Sequence, residues 1–367
     1  MIILIRSNDA NPDPRLQKYI NYLEKTQQSY KVIAWNRGED ILEKENYIYF
    51  NYPAAFGLGM KNIPKKIMWF QFIRRQLWKN RKQYQTIHAC DLDTAIPAFF
   101  MKSVLKKSMI FDVFDWVSSE NSKGFLGKVI LTIENRIFKK CDFTIICEEY
   151  RINQVREDSR RRSAVLPNIP DIHLQRDGIV EKKIAVQRQH FEKIISYVGV
   201  FDSNRGIEHL LQVVAESPDI CLNIAGFGLL ESEVKCYAER YENIVYWGKV
   251  DYNIGLNIMS YSDMIVAFYY LSNPVHSFAA PNKYYEGLFL GKALLTNEGT
   301  LLAEKVTAAN TGYVIAEGAA SLEHFLNLPL ETQHIELKNI NSKKLWDDVY
   351  QSYTANFMEN EYQKMLN

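Results

Sequence analysis

Apolar and polar positions follow a steady rhythm along most of this chain: short apolar runs separated by longer stretches of helical period. In the first half, runs at 2–5, 30–35, 86–89, 109–113 and 143–147 predict strands, with helices near 14–26, 64–82, 94–105, 124–139 and 149–156. A further run at 163–166 stops at Pro167-Asn168-Ile169-Pro170, a strand end followed by a turn. From 171 to 193 the sequence is polar, charged and without a clear period, which reads as a linker. The rhythm then resumes, with strands predicted at 194–198, 220–225, 244–247, 264–268, 293–296 and 312–315. Helices are predicted between them near 205–215, 229–240, 252–260, 281–290 and 298–309, and residues 341–366 read as helical with no strand after them.

Strand, helix and strand in repetition means parallel strands joined by crossover helices. The pattern therefore predicts an α/β chain of two doubly wound, Rossmann-like domains facing a cleft. The expected divisions are an N-terminal domain at 1–170, a linker at 171–192 and a C-terminal domain at 193–335. A helix over 336–367 is expected to pack back on the first domain. In open parallel sheets ligands bind beyond the carboxyl ends of the strands, so the loops after strands are where chemistry belongs.

Composition narrows the class further. With 367 residues, 47% hydrophobic and 24% charged, the chain can bury two cores, which excludes a disordered or disulfide-scaffold protein. A net charge of +1 supplies no global field for nucleic acid, so any such surface must be a local patch. The five cysteines are odd in number and include no Cys-x-x-Cys pair, which argues for reduced thiols in a cytosolic compartment and against a zinc site. The apolar start ends at Arg6, too soon for a signal peptide, and no apolar run approaches the ~18–20 residues that span a bilayer. The expected location is intracellular, or on a membrane face.

Four segments could carry chemistry. Tyr197-Val198-Gly199-Val200 runs through a loop to Arg205-Gly206 and a helix start, where free amides and a guanidinium suit a diphosphate. Ala225-Gly226-Phe227-Gly228 ends a strand with two glycines that would let a ligand approach the backbone, although the third glycine of a dinucleotide fingerprint is missing. Pro281-Asn282-Lys283 opens a helix after a long loop. Glu286, four residues beyond Asn282, could accept two hydrogen bonds from a vicinal diol such as ribose; a solvated Lys283–Glu286 pair is the plainer reading. Finally, His88 and Asp91 lie at a strand end expected to face the cleft mouth, with Asp93 as a plausible helix cap. Asp112 and Asp115 end the next strand, and carboxylates on separate loops could serve as acid and base.

Taken in order, these segments resemble the retaining glycosyltransferases of family 4, which have the two-domain GT-B fold. The resemblance rests on Asp13-Pro14-Arg15-Leu16, His88 through Thr94, Asp112-Val113-Phe114-Asp115 and Leu166-Pro167-Asn168 in the first half. In the second half it rests on residues 197–206, 225–228, 246–250 and 281–292. It implies a nucleotide-sugar donor, UDP rather than GDP, held mainly by the C-terminal domain. Arg205 would meet the diphosphate, Glu286 the ribose and the backbone near Val250 the base, with Gly199, Gly226, Gly228, Asn282 and Lys283 lining the pocket. His88 and Asp115 join Arg205 and Glu286 as catalytic candidates. The resemblance also implies a metal-independent reaction without a cofactor, in which the leaving phosphate takes the acceptor proton. Three positions depart from the family: Phe278 stands where a second glutamate is common, Val200 where a basic residue is usual, and Phe114 where a histidine is frequent. The missing glutamate keeps open a non-catalytic scaffold on this fold, and a nucleotide-sugar epimerase is a third reading.

One further segment points to the acceptor. No acidic residue lies between Glu45 and Asp91, while lysines and arginines recur through the predicted helix at 64–82. Ile63, Ile67, Phe70, Ile73 and Leu77 fall on one stripe expected to face the core. The opposite side combines Met68, Trp69 and Phe72 with Lys65, Arg75, Lys79 and Lys82, a mixture suited to an anionic membrane surface. The expected partners are a nucleotide sugar, a saccharide or lipid-linked acceptor and the inner face of the cell membrane, without nucleic acid. Capsule, O-antigen or exopolysaccharide assembly is the setting that the resemblance implies.

Overall fold

The computed structural model describes residues 1–7, 13–37, 44–53, 63–114, 116, 124–329 and 332–366. Asp115 lies outside the described residues. The chain divides into two compact units, one of Met1–Pro167 with Tyr353–Asn367, the other of Asn168–Ser352.

The first unit is built on a parallel sheet whose described strands run β3-β2-β1-β4-β5-β6-β7: β1 Ile2–Arg6, β2 Tyr30–Asn36, β3 Tyr47–Asn51, β4 Thr86–Cys90, β5 Ser108–Val113, β6 Phe143–Ile146 and β7 Ala164–Val165. Strand β1 is apolar at every position from Ile2 to Ile5 because both of its faces are covered. Ile3 and Ile5 enter one core with helices α2 (Ile63–Lys79), α3 (Leu92–Leu105) and α4 (Gly124–Lys140). Ile2 and Leu4 enter the other with α1 (Pro14–Lys25) and the segment carrying Phe357, Met358, Tyr362 and Met365. Asp13 caps α1 by accepting from the amides of Arg15 and Leu16.

The second unit repeats the scheme. Its described strands run β10-β9-β8-β11-β12-β13, all parallel: β8 Lys193–Phe201, β9 Ile220–Gly228, β10 Ile244–Tyr246, β11 Met264–Val266, β12 Ala293–Asn297 and β13 Gly312–Ile315. In both sheets the strand order reverses beside the first strand of the unit, between β1 and β4 and between β8 and β11. The crevice at such a reversal, past the carboxyl ends, is the natural ligand site of this architecture.

Three expectations need correction. The stretch at 171–192, read as a linker, carries helix α5 (Gly178–Gln187), capped by Asp177, and Val180 and Ile184 are buried against the second sheet. The charged residues that hide its period lie on its solvent face. The apolar rhythm does not predict strand β3, although its aromatic residues favour a strand. The presence of β3 also changes the face that α2 buries. Trp69 does not face outward; it is fully buried, packed on Trp35 and Phe50 at ring distances of 5.7 and 5.5 Å, and Phe50 belongs to β3. Phe72 is drawn to the same cluster. The buried stripe is therefore Trp69, Ile73 and Leu77, and Ile63 and Ile67 are turned to solvent instead.

Candidate functional site

In the second unit, the carboxyl end of β8 leads through Asp202 into a single 3-10 turn, Ser203–Arg205, before helix α6 (Ile207–Ala215). The side chain of Asp202 accepts from the Asn204 amide and fixes this turn. Arg205 then lies over the ring of Tyr269, 4.0 Å from its centroid, just after β11 across the strand reversal. Its Nη1 is buried and has no hydrogen-bond partner among the described residues. Donors so placed lose hydration without gaining a protein acceptor, a cost that an incoming anion would relieve.

After α7 (Glu231–Arg240) and α8 (Tyr252–Ser260), helix α9 (Asn282–Leu290) brings the remaining groups. Pro281 precedes it, and among the described residues no side chain caps it. Asn282 is exposed there. Lys283 turns inward and donates to the carbonyl of Val198, next to Gly199; a Cβ on Gly199 would lie 3.7 Å from the Lys283 ammonium. Burial pushes the Lys283 pKa below the ordinary lysine value; Glu286 opposes that shift and Arg205 adds to it. Arg205, Lys283 and Glu286 thus lie within one another's electrostatic reach. Glu286 is buried and accepts from the Tyr252 hydroxyl at 3.2 Å, so the plainer reading of a solvated Lys283–Glu286 pair does not hold. Burial and the nearby Glu286 carboxylate raise the Tyr252 pKa well above its usual value.

Two further residues escaped the sequence reading. Tyr269 is pushed up to about 12 by burial, against the opposing effect of Arg205. His276, on the long loop before α9, donates its Nδ1 proton to the carbonyl of Tyr270 at 2.9 Å, and its ring packs edge-on against Tyr269. Burial, then Arg205, lower its pKa, which favours the neutral ring with Nε2 as its acceptor. The length of that loop was the available signal, but nothing in the sequence marked which of its residues turn inward.

Gly226 and Gly228 have a different reason to be glycine. A Cβ on Gly226 would lie 1.8 Å from the Gly199 carbonyl oxygen, and one on Gly228 2.4 Å from that of Phe201. Their close approach is to the neighbouring strand, not to open space where a ligand could enter. Val250 packs its side chain into the small core under α5, with Ile258 and Val198.

The first unit fills its strand reversal with its own charges. Arg6, leaving β1, pairs with Asp13 at 2.5 Å and with Asp91, which follows β4. Beneath them Asp112 is completely buried. It takes Arg15 through two donors at 2.7 and 3.2 Å, the Tyr19 hydroxyl at 2.6 Å, and has His88 Nε2 at 3.5 Å. Burial alone would raise the Asp112 pKa, but Arg15 and His88 hold it well below the carboxylate range. His88 does not face an opening: it is fully buried, and its Nδ1 meets the Tyr362 hydroxyl at 2.9 Å. Asp91 sits at the start of α3 but gives no side-chain cap; it also accepts from the Phe114 amide. Both guanidiniums lie over Phe114, at 4.2 Å for Arg6 and 4.8 Å for Arg15, so this ring serves as a cation platform. His88, Cys90 and Asp112 offer ligand atoms within 4.8 Å of one another. With Arg15 already neutralising both Asp112 oxygens, this donor set does not fit a cation.

No family model matches the sequence, and no curated protein does. Solved structures do resemble it. The sucrose-phosphate synthase of Thermosynechococcus elongatus superposes with a TM-score of 0.77 at 14% identity, over 99% of this chain and 98% of that one. HepE of Anabaena, in complex with UDP and glucose, gives 0.69 at 12% identity over the whole of both chains. WaaG, a glycosyltransferase involved in lipopolysaccharide biosynthesis, gives 0.64 at 14% over 97% and 98%. A Listeria monocytogenes protein described as a UDP-N-acetylglucosamine 2-epimerase gives 0.61 at 10% over 98% and 96%. The chain has the GT-B fold shared by these proteins, and at such identities the likeness is one of fold.

Proposed function

We propose that this protein is a retaining glycosyltransferase, moving a sugar from a nucleotide-diphosphate sugar to a saccharide acceptor, lipid-linked, at the inner face of the cell membrane. The observation that carries the reading is the buried, unpartnered Nη1 of Arg205, set beside Lys283 and a buried Glu286 at the carboxyl edge of the second sheet. A diphosphate there would give Arg205 its missing acceptor and restore charge balance around Lys283. Tyr269 fixes the plane of the guanidinium, and the Tyr252 hydroxyl now on Glu286 marks where a ribose diol would bind. UDP is favoured as the carrier because HepE, on the same fold, holds UDP.

Transition-state stabilisation in such a site comes from fixed cations facing the charge that develops on the leaving phosphate. Arg205 and Lys283 are those cations. A described general base from the first unit is not required, because the leaving phosphate takes the acceptor proton; the sealed position of His88 agrees with that route. The proposal includes a metal-independent reaction and an assembly of cell-surface polysaccharide as its setting.

The test is a panel of nucleotide sugars, read by thermal stabilisation and nucleotide release. A ligand at a hundred times its Kd adds ~2.7 kcal/mol of stability, readily seen as a shift in Tm. A shift with UDP-sugars that disappears in Arg205→Ala supports the reading, and no response to any nucleotide overturns it. The likeness to an epimerase favours one second reading, separated by supplying donor alone: an epimerase converts the sugar without acceptor, a transferase does not.

A further inference from the structure

Between residues 46 and 111 the sequence has eleven lysines and arginines and only two acids, Asp91 and Asp93. Asp91 is spent on Arg6. Helices α2 and α3 pack side by side in this region, burying Ile73 and Leu77 of one and Ala95 and Ala98 of the other in the same core. The surface they present outward is not an ordinary solvated one. Ile67, Trp78, Phe100 and Val104 are each about half exposed. Spacing along α2 places Ile67, Arg74 and Trp78 on one face, and Phe100 and Val104 are one turn apart on α3. Between the helices runs a groove of about 450 Å³, floored by Met101 and walled by Trp78, Phe100 and Val104, with Arg74 and Arg75 at its edge. The Arg74 guanidinium lies 4.5 Å over the Phe100 ring and that of Arg81 4.7 Å over Trp78, so cations and apolar rings are interleaved.

We propose that this outer face of α2 and α3 docks on an anionic phospholipid bilayer, with an acyl chain in the groove and lipid phosphates on Arg74 and Arg75. The inference rests on the membrane-face reading above and replaces the residues expected from sequence: Trp78, Phe100 and Val104 take the part assigned to Trp69 and Phe72. Charge decides the occupant. A second copy of this chain would set one cationic face against another, which is repulsive, whereas an anionic membrane attracts each basic group and solvates the apolar ones. A half-exposed tryptophan flanked by arginine is also the composition found at the boundary between headgroups and acyl chains.

The experiment is co-sedimentation of the full chain with phosphatidylglycerol–phosphatidylcholine vesicles and with pure phosphatidylcholine vesicles. Binding is expected only to the anionic vesicles. Arg74→Ala with Arg75→Ala should weaken it about 30-fold, roughly fivefold per arginine. Trp78→Ser with Phe100→Ser should abolish the part that survives high salt. All four side chains are on the surface, so both double variants should fold, as a thermal unfolding transition matching that of the wild type would verify. The proposal is overturned by no binding to anionic vesicles, by equal binding of wild type and variants, or by a dimer or RNA complex that uses these residues while vesicles are ignored. A retained UDP response with no vesicle binding removes the docking surface and leaves the nucleotide-sugar reading standing. Vesicle binding with no UDP response does the reverse.

Discussion

Asp112→Asn tests whether the buried acids of the first unit are structural or catalytic. The carboxylate takes two bonds from Arg15 and one from Tyr19, with His88 at 3.5 Å, and all of these side chains are buried. With asparagine there, Arg15 keeps the Leu166 carbonyl at 2.6 Å and the face of Phe114 but loses its counter-charge. Removing one partner of a buried pair costs ~3–5 kcal/mol, because the survivor is left charged and uncompensated. For a unit of this size that amounts to a Tm loss of roughly 6–20 °C. The sign with pH follows from the depressed pKa. Unfolded, the group titrates near ~4; folded, well below that. Its contribution is therefore complete above the unfolded value and fades only as pH falls through the folded one. Urea unfolding of wild type and variant at neutral and acidic pH measures both effects: the gap should be wide at neutral pH and narrow in acid. Adding Arg15→Met should recover part of the loss, since it removes the buried charge that Asp112→Asn leaves uncompensated. UDP binding to the folded variant should be unchanged. A loss below ~1 kcal/mol, or a folded variant that no longer binds UDP, would refute the structural assignment.

Further expectations follow from single positions. Trp69→Ala should cost ~3–5 kcal/mol in chemical denaturation and Trp78→Ala ~0.5 kcal/mol or less; the reverse order would mean α2 is rotated from the orientation described. Gly226→Ala should prevent stable folding, since its Cβ meets a backbone carbonyl at 1.8 Å, whereas Gly178→Ala, with nothing among the described residues within 4 Å, should be neutral or gain up to ~1 kcal/mol. Because the Lys283 pKa is lowered, affinity for UDP should fall with rising pH before an ordinary lysine would titrate. Isothermal titration of Lys283→Arg should show that decline flattened, and an identical profile would remove Lys283 from the site.

The doubly wound halves were legible because buried parallel strands are written as uninterrupted apolar runs, and Ile2 to Ile5 could be little else. What stayed hidden depended on neighbours. The face that α2 buries is chosen by Trp35 and Phe50, residues far back in the chain, so helical spacing alone picked the wrong stripe. Arg205, Lys283 and Glu286 were found because each follows a strand or opens a helix, positions with chemical meaning in this architecture. Tyr269 and His276 were not, since their inward turn depends on a loop whose path no periodicity records, and nothing marked Tyr252, half exposed at the start of a predicted helix, as the partner of Glu286. His88 shows the opposite failure: a histidine at a strand end was read as reaching out, when residues 274 positions later close over it.

That closure has a consequence for how the protein is made. The apolar flank of the first sheet formed by Leu4, Val32 and Ile110 is roofed by Phe357, Met358, Tyr362 and Met365, which leave the ribosome only after residues 168–352 have been translated. At bacterial-to-eukaryotic elongation speeds the wait is roughly 10–40 s. Throughout it the nascent first unit carries an uncovered greasy patch and an unfinished Tyr362 latch, an invitation to holdase chaperones during synthesis that refolding of the full-length chain would not extend.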